Sequence, residues 1–451
     1  MKVGFGSAPI TPRGGKIVIA GQIPVRYTDK VHDGIYATAM VTESGGVRTI
    51  WVSCDICHPT KKLTDDVIKS LKKSLPGFKE DELILSATHS TACFYLTDDE
   101  FLNSAFDVDK SIMMPFEETR KQVCDGITSA VLKAVSCMKE AAAEFAAADI
   151  LTGYCRRVLY KDNTAQMYGD VSRDDFLRME YPDGGGAQII YFYGKDNHDL
   201  LGIFTAVPCP AQADEASLYI TADYWHYARE IIKDTLGKNI PVLGVCRAAG
   251  ELSPHRLLSI DAKYAEAEWG SKAAERVGRN IAEAVLSEMK RPLRAFEGDI
   301  SHLRITKEIP FPVRKPSQKE LDSAKEYLSS DHSESADPNE WIKKAQAAHS
   351  VKAAAAEDFY KARVSVLRIG EMLFFTAPAE LFSEYAKRIT AKFPKNPVFD
   401  VQLTNDTLGY LPTAEAIEHG GYSTMIFSTV TTPEGGEKFV NEITSMLKEL
   451  V

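Results

Sequence analysis

Arg48-Thr49-Ile50-Trp51-Val52-Ser53-Cys54 is a short run of β-branched, aromatic and small residues that reads as one strand; Leu63 to Leu75 then carries apolar residues at helical spacing, and Glu82-Leu83-Ile84-Leu85-Ser86 is again strand-like. Strand, helix and strand in close succession predict an α/β chain, and the same alternation recurs outward from this stretch. Upstream, Ile35 to Val41 reads as a strand. Downstream, strands are expected at Gln188 to Tyr193, Ile203 to Val207, Pro241 to Cys246, Ser301 to Ile305, Ala362 to Ile369 and Met372 to Thr376. Helices are expected at Phe116 to Phe145, Tyr224 to Leu236, Asp261 to Met289, Leu381 to Phe393 and Lys438 to Leu450. In Asp261 to Met289 the residues Ala265, Trp269, Ala273, Val277, Ile281 and Val285 recur every fourth position, with Asp261 as N-cap and Pro292 beyond the end. Mixed β-sheets flanked by helices are the expected architecture.

A length of 451 residues allows one to three domains. No Pro/Gly/Ser-rich linker and no internal repeat divides the chain, so residues 1–451 read as one large catalytic-type domain. Lys315 to Ala356 is polar, with two helical patterns around Ser330 to Pro338, and reads as a surface helical insertion. A hydrophobic share of 44% and a charged share of 26% exclude low-complexity, collagen-like and disordered classes. The net charge of -10 repels phosphate backbones and anionic membranes, so neither nucleic acid nor a membrane is expected as partner, and a small-molecule substrate is. No leader pattern and no apolar run of about 18 residues is found, which places the expected location in the cytoplasm. The eight cysteines are too few for a disulfide framework at this length and read as reduced thiols.

Several loops at strand ends carry residues with chemistry. Cys54-Asp55-Ile56-Cys57-His58 has the spacing of redox and haem-attachment motifs, but without a second pair or a leader its cysteines read as ordinary buried thiols. Leu83 to Ala87 runs into Thr88-His89-Ser90-Thr91, which puts an imidazole where ligands bind in α/β sheets. Pro208-Cys209-Pro210 fixes a thiol between two prolines, which suits a buried thiol, a soft metal ligand or a nucleophile. Gly250-Glu251-Leu252-Ser253-Pro254-His255 follows another strand, and Ser253 has no nucleophile-elbow glycines around it. Pro378-Ala379-Glu380 reads as the opening of a helix, with the carboxylate at its positive end. Tyr410 and Tyr422 lie in loops with glycine neighbours, where phenols reach a pocket and donate hydrogen bonds.

Taken in order along the chain, these segments resemble the neutral/alkaline non-lysosomal ceramidase family, zinc-dependent amidases that cleave the N-acyl bond of ceramide. Gly4-Phe5-Gly6-Ser7-Ala8-Pro9-Ile10-Thr11-Pro12 is similar to the family's Gly-rich opening, Ala20-Gly21 with Arg26 to its Ala-Gly-Tyr and Arg, and Asp33-Gly34-Ile35-Tyr36-Ala37-Thr38-Ala39 to its Asp-Pro-Leu-Tyr-Ala-Arg-Ala strand. Val52 to Asp55, Ser86 to His89, Ile220 to Tyr224, Gly250 to Pro254, Pro378 to Glu380 and Tyr410 to Tyr422 follow in the family's order. The resemblance implies a ceramidase-like catalytic domain over nearly the whole chain.

Carried over by residue, it implies zinc held by His89, Glu380 and Tyr410, with Cys209 at the position of a further histidine ligand. It implies Ser253 near the substrate, Tyr422 as a second phenol that helps hold the carbonyl oxygen, and Arg156 as a substrate-contacting arginine. Thr91 stands where the family has the second histidine of its His-x-His motif, and Glu251 and His255 stand where it has Asp and Asn; these three are taken as substrate-binding positions. The sequence shows no interfacial helix rich in Lys and Arg, so a small non-lipid amide or ester is expected rather than ceramide. Zinc hydrolysis is the leading expectation. A metal-independent thiol hydrolase with Cys209 as nucleophile and His89 as base is a second, and a non-catalytic small-molecule-binding protein of the same fold is a third.

Overall fold

Trp51 lies on the inner face of the larger of two packed sheets, and the way it faces explains the layering. The computed structural model describes residues 1–21, 25–96, 106, 108–258, 268–291, 294–296, 301–332, 337 and 339–451. The larger sheet contains β1 (Lys2–Pro9), β2 (Tyr36–Ser44), β3 (Val47–Cys54), β4 (Leu83–Ala87), β5 (Lys139–Ala148), β6 (Ala187–Gly194), β7 (Leu200–Val207) and β8 (Val242–Cys246) in the order β8-β7-β6-β5-β1-β2-β3-β4, with β9 (Arg294–Phe296) also paired to β5. Among the described residues only β7 with β8 and β3 with β4 run parallel within this sheet. The sheet coils far enough for Ser53 Oγ of β3 to donate to Gly244 O of β8 at 2.5 Å.

Successive residues of a strand face opposite sides. Ile50 and Val52 therefore join the core under helices α1 (Lys61–Ser74), α2 (Phe116–Ser136), α3 (Tyr224–Leu236) and α4 (Ser271–Glu288), and Trp51 turns the other way, toward a second sheet. That sheet has the order β10 (His302–Pro312), β11 (Phe359–Ile369), β12 (Met372–Thr376) and β13 (Val398–Val401). Between the sheets Trp51 meets Phe204 at 5.4 Å and Phe374 at 6.0 Å, and Phe374 stacks on Phe399 at 4.7 Å. Such offset and edge-on aromatic pairs hold two apolar faces together with defined geometry.

The chain inserts α5 (Gln318–Ser329) and α6 (Glu340–Ala355) between β10 and β11. The outer face of the small sheet is covered by α7 (Ser383–Thr390) and α9 (Pro433–Lys448), with the short α8 (Ala414–His419) nearby. The result is four layers, helix, sheet, sheet, helix, which is the α/β class expected from the alternation. At the end of the large sheet, the outer edge of β4 is sealed by a bridge from Ser86 to Thr404 and by Asn405, whose Oδ1 accepts from Leu85 N at 2.9 Å.

Three expectations are corrected. The helix expected at Phe116 to Phe145 ends at Ser136, and its second half is β5, paired along its length with β6. Alanines at 141, 142, 143, 146, 147 and 148 favour a helix by propensity, but the central place in the sheet selects them for their small size. Glu380 does not open a helix: Glu380–Leu381 is a short strand, and α7 starts at Ser383. The helix α4 starts at Ser271, so Trp269 precedes it; Asp261, Ala265 and Pro292 lie outside the described residues. The first residues also hold β1, a strand not anticipated, although Lys2–Pro9 contains the Gly-rich opening motif. Among the described residues no helix is long and apolar enough to cross a membrane.

Candidate active site

Where β4 ends, Thr88 N donates to Cys54 O at 2.9 Å and Ser90 N to Ile56 O at 3.0 Å, which lays the loop after β4 along the loop after β3. His89 adopts a φ of 61°, and this turn aims its ring into the space between the sheets' loops. Its Nδ1 lies 2.7 Å from the carbonyl oxygen of Cys57. A carbonyl only accepts, so Nδ1 carries a hydrogen and Nε2 faces outward, 3.2 Å from Glu380 Oε2.

Glu380 follows β12 of the second sheet and lies in a separate two-stranded ladder. Its strand runs parallel to Tyr410–Leu411 with Glu380 paired to Tyr410, and this register brings the carboxylate and the phenol together. Gln402 Oε1 accepts from Leu381 N at 2.9 Å and Ala249 N at 3.2 Å, tying the loop after β8 to the same place. Gly250 passes so close that a Cβ there would lie 2.7 Å from Glu380 O, a distance no ordinary side chain tolerates. Arg156 Nη2 donates to Gly250 O at 3.0 Å and to the Tyr410 hydroxyl at 2.9 Å, and lies 3.9 Å from Glu380 Oε2.

The electrostatics follow from this packing. Burial pushes the Glu380 carboxyl up, but His89, Arg156 and the Tyr410 hydroxyl outweigh it and hold the group below its ordinary value, so it is ionised. Burial pushes the Tyr410 phenol well up despite Arg156. Tyr422, whose ring stands edge-on to Tyr410 at 6.0 Å, is likewise raised, by burial first and then by Glu380. Both phenols are neutral donors. Desolvation works against the Arg156 cation, but Tyr410, Tyr168 and Glu380 over-compensate, so it is fixed in its charged form.

Five of the residues expected from sequence thus stand together: His89, Glu380, Tyr410, Arg156 and Tyr422. Ser253 lies beside them, its strand paired with Tyr154 and its hydroxyl in reach of the Tyr168 phenol. Four others do other work. Glu251 is fully buried and accepts twice from Ser383 N at 3.0 Å, so it, and not Glu380, is the carboxylate at the N-terminus of α7. His255 is also fully buried, with Nδ1 on Glu268 O at 2.7 Å, Nε2 on Gln212 O at 3.1 Å and its ring stacked 3.4 Å from Trp269. Neither nitrogen is left for a substrate. Thr91 packs against Gly21, and its buried hydroxyl has no hydrogen-bond partner among the described residues.

Cys209 is buried in the core, its Sγ 3.4 Å from Pro210 O, and burial followed by the neighbouring Cys246 raises the thiol well above its ordinary value. His89 is held by Cys57 O and Glu380 rather than by Cys209, and burial disfavours the thiolate, so this geometry does not support the thiol-nucleophile alternative. Tyr168 was not anticipated from sequence. It sits at φ 53°, accepts from Gln212 Nε2 at 2.7 Å, and lies under Arg156 at 5.9 Å, with its phenol raised to about 12 by burial and then Glu215. The signal that could have found it is the one that marks Tyr410 and Tyr422, a loop tyrosine with a glycine neighbour, here Gly169.

The expected zinc can be tested against the donors. Nε2 of His89 with its lone pair facing an ionised carboxylate at 3.2 Å is repulsive unless a proton or a metal cation stands at that point. A histidine whose other nitrogen is held by a backbone carbonyl is the arrangement that metal-binding imidazoles use. His89, Glu380 and Tyr410 therefore fit a metal as three donors, the number a catalytic zinc site requires. Cys209 does not join them, and among the described residues no three His, Cys, Asp or Glu side chains are grouped to hold a metal ion.

Comparison with solved structures places the whole architecture. Neutral ceramidase from Pseudomonas aeruginosa superposes with a TM-score of 0.70 and 16% identity, covering 100% of this chain and 75% of that one. The fold is neutral ceramidase-like. A ceramidase complexed with C2 gives a TM-score of 0.71 at 15% identity, again over 100% of this chain and 75% of the other. At this identity the likeness concerns the ceramidase-like fold itself. No family model matches the sequence, and no curated protein matches it.

Proposed function

We propose that this chain is a hydrolase of an amide or ester bond in a small, non-lipid substrate, working at the cluster of His89, Glu380, Tyr410, Arg156 and Tyr422. The observation that carries the reading is that an imidazole from the loop after β4 and a carboxylate from the short ladder after β12 meet at 3.2 Å, with a neutral phenol and a fixed guanidinium on the same carboxylate. The ceramidase-like neighbours support the reaction class. Fold alone does not choose a substrate.

Glu380 with His89 is the base that takes a proton from water as the water oxygen bonds to the carbonyl carbon; the proton is then returned to the leaving nitrogen or oxygen as the scissile bond breaks. Arg156 holds the Tyr410 oxygen from its lone-pair side, which directs the Tyr410 O–H to Glu380. The developing oxyanion is met by the Tyr422 phenol, a kind of donor that contributes about 3 kcal/mol in well-studied sites. With zinc on His89, Glu380 and Tyr410, the His89–Glu380 pair would serve as ligands rather than as the base, and the metal would supply Lewis acidity and acidify a water to a pKa of about 7.

The test pairs metal content with turnover. Protein purified without chelators or affinity metal is assayed by elemental analysis and against a panel of small amides and esters, alongside Glu380→Ala. Zinc in the wild type, lost together with turnover in the variant, is the expected outcome. Turnover by a zinc-free wild type removes the metal and leaves the His89–Glu380 base. Absence of turnover across the panel ends the hydrolase reading.

A further inference from the structure

The inserted helices α5 and α6 have no part in the chemistry above, yet α6 touches the loop that carries Tyr422. Trp341 stands edge-on to Phe427 at 6.1 Å and His349 to the same ring at 6.3 Å. Phe427 stands edge-on to Tyr422 at 5.7 Å, and Tyr422 to Tyr410 at 6.0 Å. One row of aromatic rings therefore runs from the insertion to the phenol that Arg156 holds. The backbone is tied as well, since Ile426 N donates to Gln346 Oε1 of α6 at 3.1 Å. Trp341 also stacks on Phe106 at 6.1 Å, and Phe106 packs against Val18 and Phe116 on the far side of the insertion.

The same loop is gripped from its other end. Arg157 donates through Nη2 to Gly420 O at 2.8 Å and through Nη1 to Ser423 Oγ at 3.0 Å. Those bonds hold the chain on either side of Tyr422 but do not touch its ring, which turns about two side-chain torsions. Edge-to-face packing by Tyr410 on one side and Phe427 on the other restricts the ring, and Phe427 is in turn backed by Trp341. An insertion with no reason to be near the site in chain order is thus coupled to the position of one hydroxyl.

We propose that Trp341 and Gln346 of α6 are positioning residues for Tyr422, so that the insertion sets the alignment of the phenol that meets the substrate carbonyl. The inference rests on the hydrolase reading for its effect on turnover, and on the aromatic row alone for its effect on the loop. A misplacement of about 1 Å in a group that stabilises the transition state costs up to about 100-fold in rate.

The experiment compares wild type, Trp341→Ala, Trp341→Phe and Gln346→Ala by hydrogen–deuterium exchange of peptides covering residues 420–428, and by hydrolysis of p-nitrophenyl acetate. Trp341→Ala is expected to speed exchange in 420–428 by about 10-fold while peptides from β3 and β12 stay protected, and to lower kcat/KM by about 10- to 100-fold. Trp341→Phe, which keeps an aromatic edge, is expected to restore both to within about threefold, and Gln346→Ala to affect exchange more than turnover. Unchanged exchange in 420–428 for Trp341→Ala overturns the proposal, as does a loosened loop with full kcat/KM. Should the wild type leave the probe untouched, the hydrolase reading loses support, and the exchange arm, which needs no substrate, still decides the positioning.

Discussion

At the scale of single residues, the pairing of Arg156 with Tyr410 makes a specific demand. The guanidinium must satisfy Gly250 O and the phenol at once from one nitrogen, at 3.0 and 2.9 Å. A lysine ammonium keeps the charge and loses the planar fork, so Arg156→Lys is expected to lower kcat/KM by about 10- to 100-fold with little change in fold, read by steady-state kinetics and circular dichroism. Cys209→Ser separates the two roles once open to that thiol. It should leave turnover within about threefold and cost about 1–3 kcal/mol of unfolding free energy, because a fully buried hydroxyl replaces a small apolar group. A thousandfold loss of turnover would restore the nucleophile. What is legible in the sequence at this scale is residue type at strand ends and in loops: His89, Glu380, Tyr410 and Tyr422 stand out without knowledge of any contact, and Arg156 only through the family resemblance. Glu251 and His255 stand out on the same grounds and serve backbone groups instead, because the side chains that suit a substrate also suit an amide or a carbonyl left over at a loop.

At the scale of elements, Asp223 shows how a helix end carries a pH dependence. It caps α3, its oxygens accepting from Tyr224 N and Asp214 N at 2.7 Å each, with a φ of 55°. Burial raises its carboxyl to about 6 from an ordinary 3.8, against the pull of those backbone hydrogen bonds. The folded chain then binds a proton that the unfolded chain has lost, so this group favours folding below pH of about 4, and that contribution disappears as pH rises toward about 6. The shift corresponds to a swing on the order of 2–3 kcal/mol. Asp223→Asn is expected to flatten the dependence of the denaturation midpoint across this window, measured by urea titration at several pH values. The element boundaries themselves were legible where period and composition agreed, as in α3 and β12, which match the expected spans. They were not legible at β5, where alanine's preference for helix is overruled by a place between two strands that only small side chains fit.

At the scale of the whole molecule, one hydrogen bond crosses between the sheets through a group that titrates. His302 at the start of β10 has Nε2 2.9 Å from Thr49 Oγ1 of β3, and its Nδ1 is buried without a hydrogen bond of good geometry. Burial, with Arg304 adding to it, lowers the imidazole to about 4 from 6.5. Here the sign is opposite to that of Asp223: the neutral ring is favoured in the folded state, so its stabilisation is present above pH of about 6.5 and is lost as pH falls toward about 4, on the order of 2–3 kcal/mol. His302→Gln is expected to remove that acid-side loss while keeping an amide to face Thr49, and an unchanged acid slope would contradict the assignment. Mixed sheets flanked by helices could be read from the alternation of runs, but the pairing of the two sheets could not, since Trp51 and the Phe374 it meets are joined only through space. The sealing of β4 has a further consequence for how the protein is made. Asn405, which occupies the edge of that strand, is separated from its partner Leu85 by 320 residues, so the cover reaches a ribosome's exit long after the strand it protects. Until then Leu83 to Ala87 offers a bare apolar edge to any neighbouring copy, and chains cut short before residue 404 are expected to clump where the full-length product stays dispersed.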